Sequence, residues 1–75
     1  SFFCMSMQRF GEKLRMLRLR HNLTQQQVAD VLEVRQVFVH RLERGQKKPN
    51  VEHLIKLAQL FGVTADALIM DEQEI

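Results

Sequence analysis

Seventy-five residues, 45% of them hydrophobic and 27% charged, make an ordinary globular composition with material for one small core. No apolar run approaches the ~20 residues of a membrane span, no secretory segment is recognisable, and Cys4, the single cysteine, excludes an internal disulfide. The expectation is a cytosolic protein that does not enter a membrane. The net charge of +2 conceals an asymmetry: residues 1–48 hold ten Lys/Arg against four Asp/Glu, residues 49–75 one against five. So lopsided a field attracts a polyanion to the first half; a solvated basic surface is the alternative. A chain this short is near the lower limit for independent folding, which makes burial against a second copy plausible.

Residues 1–8 are assigned as an N-terminal extension, either foreign to the native chain or disordered, in which Phe2 and Phe3 could pack on the body or on a second subunit. From about Gln8 to Arg20, Phe10, Leu14 and Leu17 recur at i, i+4 and i+7 and predict an amphipathic helix, with Arg9, Lys13, Arg15 and Arg20 solvated. His21 and Asn22 lead to Leu23. Thr24 with Gln27 fits a capping box, so a second helix should begin at Gln25 and turn Val28, Ala29 and Leu32 inward. A turn follows around Glu33 and Val34.

In the next helix, from about Arg35 to Arg44, Val39 and Leu42 point one way with Phe38 at the edge of that face. Val37, His40, Arg41 and Arg44, with Gln36 beside them, share the opposite face. Arg and Gln carry the forked donors and acceptors that match guanine and adenine edges in the major groove, and Val can touch a thymine methyl. An ordinary surface helix also shows such residues. Gly45 fits a left-handed cap, and Gln46, Lys47 and Lys48 precede Pro49. Asn50 caps a fourth helix with a core stripe of Leu54, Leu57, Ala58 and Phe61, widened by Ile55, with Leu60 off the stripe and exposed, before Gly62 ends it. Thr64 caps a last helix, Ala65 to about Met70, with Leu68 inward. Leu60, Ile69 and Met70 are candidates for a dimer interface, and residues 71–75 form an acidic tail; a frayed end is the alternative.

The segments LRMLR, LTQQQVADVL, RLERGQKKP and LIKLAQLFGVTADAL, in that order and spacing from about Phe10 to Leu68, resemble the phage lambda repressor and Cro-like (XRE-type) helix-turn-helix DNA-binding domain family. The resemblance implies an all-α, compact five-helix domain over residues 9–70, with its third helix in the DNA major groove and its second across the backbone. On that footing Gln36, Val37 and Arg41, then His40 and Arg35, are the candidates for base edges. Gln25, Arg44, Lys47 and Lys48 are the candidates for phosphate, as is Thr24 unless it is a plain cap. The family also implies an ion pair between Arg18 and Glu43 that orients the first helix against the third. Two residues depart from the pattern. Glu33 stands where most relatives have glycine, at a position of positive φ that a residue with a Cβ adopts at some cost. Arg35 replaces the usual Ser or Thr cap, leaving a bond worth ~1 kcal/mol unmade. Glu33 also places negative charge near the mouth of the groove.

The expected function is sequence-specific binding of double-stranded DNA by a transcriptional regulator, acting as a homodimer on an inverted repeat. The alternative is a protein-interaction module that holds a partner chain as an antitoxin holds its toxin, prompted by Glu33, Val37, Phe38 and Leu60. An enzyme is not expected, nor any metal or cofactor. His21, His40 and His53 lie at no zinc-like spacing with Cys4, and no glycine-rich phosphate cradle is present.

Overall fold

The computed structural model describes residues 9–70, and the expected N-terminal extension and acidic tail lie outside the described residues. Within that span the chain forms α1 (Phe10–Arg20), α2 (Gln25–Leu32), α3 (Gln36–Glu43), α4 (Val51–Phe61) and α5 (Ala65–Ile69), with no strand among the described residues.

Short polar signals set where most of these helices begin. Thr24 Oγ1 accepts from the Gln27 backbone N–H at 3.1 Å, and Gln27 Oε1 accepts from the Thr24 N–H at 2.8 Å, a complete capping box at the start of α2. Asn50 and His53 repeat the arrangement at α4: Asn50 Oδ1 accepts from the His53 N–H at 2.7 Å, and His53 Nδ1 accepts from the Asn50 N–H at 3.3 Å. Thr64 caps α5. At α3, Arg35 makes no side-chain cap, so the helix that carries the exposed basic face begins without one.

Four helix ends share one device. After α1, α2, α3 and α4 the chain passes through a left-handed residue, Asn22 (φ 56°), Glu33 (φ 60°), Gly45 (φ 75°) and Gly62 (φ 68°). The next residue then bonds back to a carbonyl inside the helix: Leu23 N to Arg18 O at 3.0 Å, Val34 N to Ala29 O at 3.0 Å, Gln46 N to Arg41 O at 2.9 Å, and Val63 N to Ala58 O at 3.1 Å. This backbone bond is the mark of the Schellman motif, which satisfies a carbonyl that a helix end otherwise orphans. The chain therefore reverses sharply after each of these helices.

The core is a single cluster of Phe10, Leu14 and Leu17 from α1, Val28, Ala29 and Leu32 from α2, Val39 and Leu42 from α3, Leu57 and Phe61 from α4, and Leu68 from α5. Helices α2 and α3 pack against each other, α1 crosses α3, and α5 returns to α1. Gly11 makes the α1–α3 crossing possible. A Cβ there would stand 2.4 Å from the Glu43 carbonyl oxygen and 2.7 Å from that of Leu42.

Three sequence expectations need correction. Lys13, expected in solvent, is 0% exposed. Its Nζ donates to the backbone oxygens of Ala67, at 2.7 Å, and Met70, at 2.5 Å. The four-carbon stem lies with the apolar residues while the ammonium meets carbonyls that the end of α5 would otherwise leave unbonded. Ile55, expected to widen the α4 stripe, is 50% exposed, whereas Leu60, expected to be exposed, is half-buried and packs against the core. The stripe itself, Leu54, Leu57, Ala58 and Phe61, stands as expected, but it widens on the flank that holds Leu60 and not on the one that holds Ile55. Helix α5 runs to Ile69, in keeping with its expected end at about Met70, and Met70 is extended.

Candidate nucleic-acid interface

Helix α3 is held by one face and offers the other. Val39 and Leu42 are fully buried, and Phe38 is half-buried, with its ring 5.2 Å from that of His53 at the start of α4. Gln36, Val37, His40, Arg41 and Arg44 are exposed, as is Arg35 at the mouth of the helix. None of Arg35, His40, Arg41 and Arg44 forms an ion pair among the described residues, so the charge on this face is uncompensated. Beyond α3, Lys47 and Lys48 are exposed on the loop that Gly45 starts and the Asn50 capping box ends. Hydrogen bonds anchor both ends of that loop, Gln46 N–H to the Arg41 carbonyl at one and the Asn50–His53 box at the other.

Beneath this face runs a polar chain. Arg18 from α1 donates Nε to Glu43 Oε2 at 2.6 Å and Nη2 to Glu43 Oε1 at 3.1 Å, and its Nη1 donates to the Leu23 carbonyl at 3.0 Å. The two side chains are 12% and 4% exposed. A forked guanidinium on a carboxylate is a strong charge-assisted pair, but desolvation offsets most of its net value. Removing one partner is the costly change, roughly 3–5 kcal/mol for a buried pair. Glu43 Oε1 also accepts from Gln25 Nε2 at 3.0 Å, and Gln25 Oε1 accepts from Gln36 Nε2. The chain thus passes from α1 through the end of α3 and the start of α2 to the first residue of α3.

Sequence reasoning placed Gln25 toward phosphate. The structure engages its amide at both ends, leaving one amide hydrogen and its backbone N–H for an anion. Thr24 uses its oxygen as an acceptor in the capping box and keeps its hydroxyl proton to donate. The Glu33 carboxylate lies 3.7 Å from Lys56 Nζ on α4, and Lys56 is also 3.5 Å from Glu52. Ile69 and Met70 are half-buried and Leu60 packs inward, while Val51 and Ile55 on α4 are 72% and 50% exposed. The link through Gln25 was missed because nothing local ties it to Glu43 eighteen positions on. The signal available was that a glutamine opens both α2 and α3.

A short helix laid on a second one, joined by a tight left-handed turn and presenting an uncompensated basic and amide-bearing face, defines a helix-turn-helix DNA-binding domain. Comparison with known proteins gives the family: residues 14–68 match the helix-turn-helix family, and the chain belongs to it. It is 41% identical over 66 residues to the HTH-type transcriptional activator BcrR of Enterococcus faecalis, an alignment covering 88% of this chain and 32% of that protein. The chain therefore spans about a third of that relative's length. Among solved structures, a transcriptional regulator from Listeria innocua superposes with a TM-score of 0.79 at 36% identity, covering 88% of this chain and 62% of that one. The P22 c2 repressor, in complex with a synthetic operator, superposes with a TM-score of 0.76 at 27% identity, covering 80% of this chain and 91% of that one. The chain is thus a DNA-binding domain of the kind transcriptional regulators carry. Among the described residues, no helix is long and apolar enough to cross a membrane.

Proposed function

We propose that residues 9–70 act as one sequence-reading unit in the cytoplasm, with α3 in the major groove of a duplex operator and a second copy on the other half of an inverted repeat. The observation that carries this reading is the division of α3: Val39 and Leu42 fully buried, and every polar residue of the opposite face exposed. Gln36, Val37 and Arg41 meet base edges, joined by His40 and Arg35 at the margins. Arg44, Lys47 and Lys48, with the α2 start at Thr24 and Gln25, grip phosphate on either side, which sets register without reading sequence. In a twofold complex the half-sites lie about 34 Å apart on one face of the duplex. Val51 and Ile55 join Ile69 and Met70 as the apolar surface for the second copy.

The alternative of a partner-holding module loses two of its four prompts, because Phe38 and Leu60 pack against the core. The test is selection of bound duplexes from a randomised pool at moderate salt. An inverted repeat with half-sites one turn apart supports the reading, and unsorted sequence sinks it. Arg41→Ala, measured on the selected site, should cost on the order of 1–3 kcal/mol and relax one base pair. A uniform loss over all sequences would make Arg41 a phosphate contact instead.

A further inference from the structure

Helix α5, Ala65–Ile69, is little more than one turn long. Its start is fixed twice, by Thr64 Oγ1 accepting from the Ala67 N–H at 3.0 Å and by the Val63 N–H bonded back to the Ala58 carbonyl. Its end is fixed by Lys13, whose buried Nζ donates to the carbonyls of Ala67 at 2.7 Å and Met70 at 2.5 Å. Ala67 and Leu68 also hold the helix by apolar contact, but such contact is non-directional and tolerates a tilt. The ammonium does not, because a tilt that draws the carbonyls away breaks charge-assisted bonds to a buried cation. The helix that supplies Lys13 is also indexed against the end of α3, by the close approach of Gly11 to the Leu42 and Glu43 carbonyls and by the Arg18–Glu43 pair. Helix α1 therefore grips the end of α3 and the end of α5 at once.

We propose that Lys13 is a positioning residue for twofold DNA recognition: by fixing α5 against α1 it sets the angle between the surface for the second copy and the reading helix, and so the spacing of half-sites that two copies accept. The inference rests on the proposed second copy meeting this one through Met70, whose carbonyl Lys13 holds, and Ile69 beside it. Half-sites about 34 Å apart put each reading helix roughly 17 Å from the twofold axis. A tilt of about 10° at the interface then carries that helix by about 3 Å, nearly the rise of one base pair. Small freedom in a one-turn helix thus becomes a change of register on the duplex. Lys13 is 0% exposed and offers nothing to a phosphate directly, so its effect on recognition passes through α5.

The test titrates the whole 75-residue chain with three kinds of duplex: a single half-site, the selected inverted repeat, and that repeat with its spacer lengthened or shortened by a base pair. Lys13→Met keeps an apolar stem and removes the ammonium. Lys13→Gln, which keeps a neutral donor on a shorter stem, is read in its place should circular dichroism show Lys13→Met unfolded. The expected result is an unchanged affinity for the single half-site, while preference for the native spacing over the altered ones falls on the order of tenfold, within the usual range of coupling between sites. Native spacing preference retained in the folded variant overturns the proposal. An equal loss on half-site and repeat also overturns it, and makes Lys13 a residue of stability alone. A native chain that binds the repeat no better than two independent half-sites overturns the twofold reading itself, and is distinguishable from a native chain whose spacing preference survives the substitution.

Discussion

Replacing Gly11 with alanine sets two effects of opposite sign against each other. By helix propensity the change is favourable by about 1 kcal/mol at a helix interior, and by less in a first turn such as this one. Against it stands the crossing of α1 over the end of α3. The added Cβ would lie 2.4 Å from the Glu43 carbonyl oxygen, 2.7 Å from that of Leu42 and 2.9 Å from the Glu43 carbonyl carbon, all of them backbone atoms that cannot swing aside. Ordinary carbon–oxygen contact needs more than 3 Å, so α1 must move from α3 by the better part of an ångström. Overpacking of this kind costs typically 1–3 kcal/mol, occasionally more. The movement also draws Arg18 away from Glu43, a pair closed at 2.6 Å. The cost wins, with a net destabilisation of roughly 2 kcal/mol. For a domain of this size that lowers Tm by about 8–16 °C. Thermal unfolding followed by circular dichroism, with urea unfolding for the free energy, measures it. A Tm equal to the native value or above it would show that propensity governs the site and that the close approach is not maintained in solution.

Two further outcomes are open to direct measurement. Glu33→Gly should stabilise the domain by on the order of 1 kcal/mol, since a left-handed residue with a Cβ costs roughly 1–2 kcal/mol and the exposed pair with Lys56 returns less than that; a lower midpoint in urea would show that the Lys56 contact outweighs the strain. Lys48→Ala should weaken binding to all duplexes alike and reduce the slope of log affinity against log salt by about one, and an unchanged slope would remove Lys48 from the phosphate grip.

The parts of this fold written in local sequence were legible, and those made by distant backbone atoms were not. Thr24 with Gln27 marked the start of α2, and Gly62 the end of α4, because a cap involves residues a few positions apart whose chemistry shows in their names. Lys13 went unread for the opposite reason. It lies beside the apolar stripe of α1, but its partners are backbone oxygens 54 and 57 positions away, and a carbonyl carries no residue identity. Gly11 is silent in the same sense, since only the assembled crossing shows what its missing Cβ would strike. On the proposed DNA face, periodicity separated the exposed side of α3 from the buried one. The link from Arg18 through Gln25 to Gln36 required three helices in place.

The left-handed helix ends divide the chain's glycines into two kinds. At Gly45 and Gly62 an added Cβ would meet nothing within 4 Å. Only the dihedral angle resists substitution there, and Glu33 shows that another residue can take the same conformation in this very chain. Those two positions should grade their tolerance by how easily each residue type enters that region, asparagine first and the β-branched residues last. Gly11 is constrained by volume and grades nothing. A saturation library read by folding alone would return a slope at two glycines and a cliff at the third.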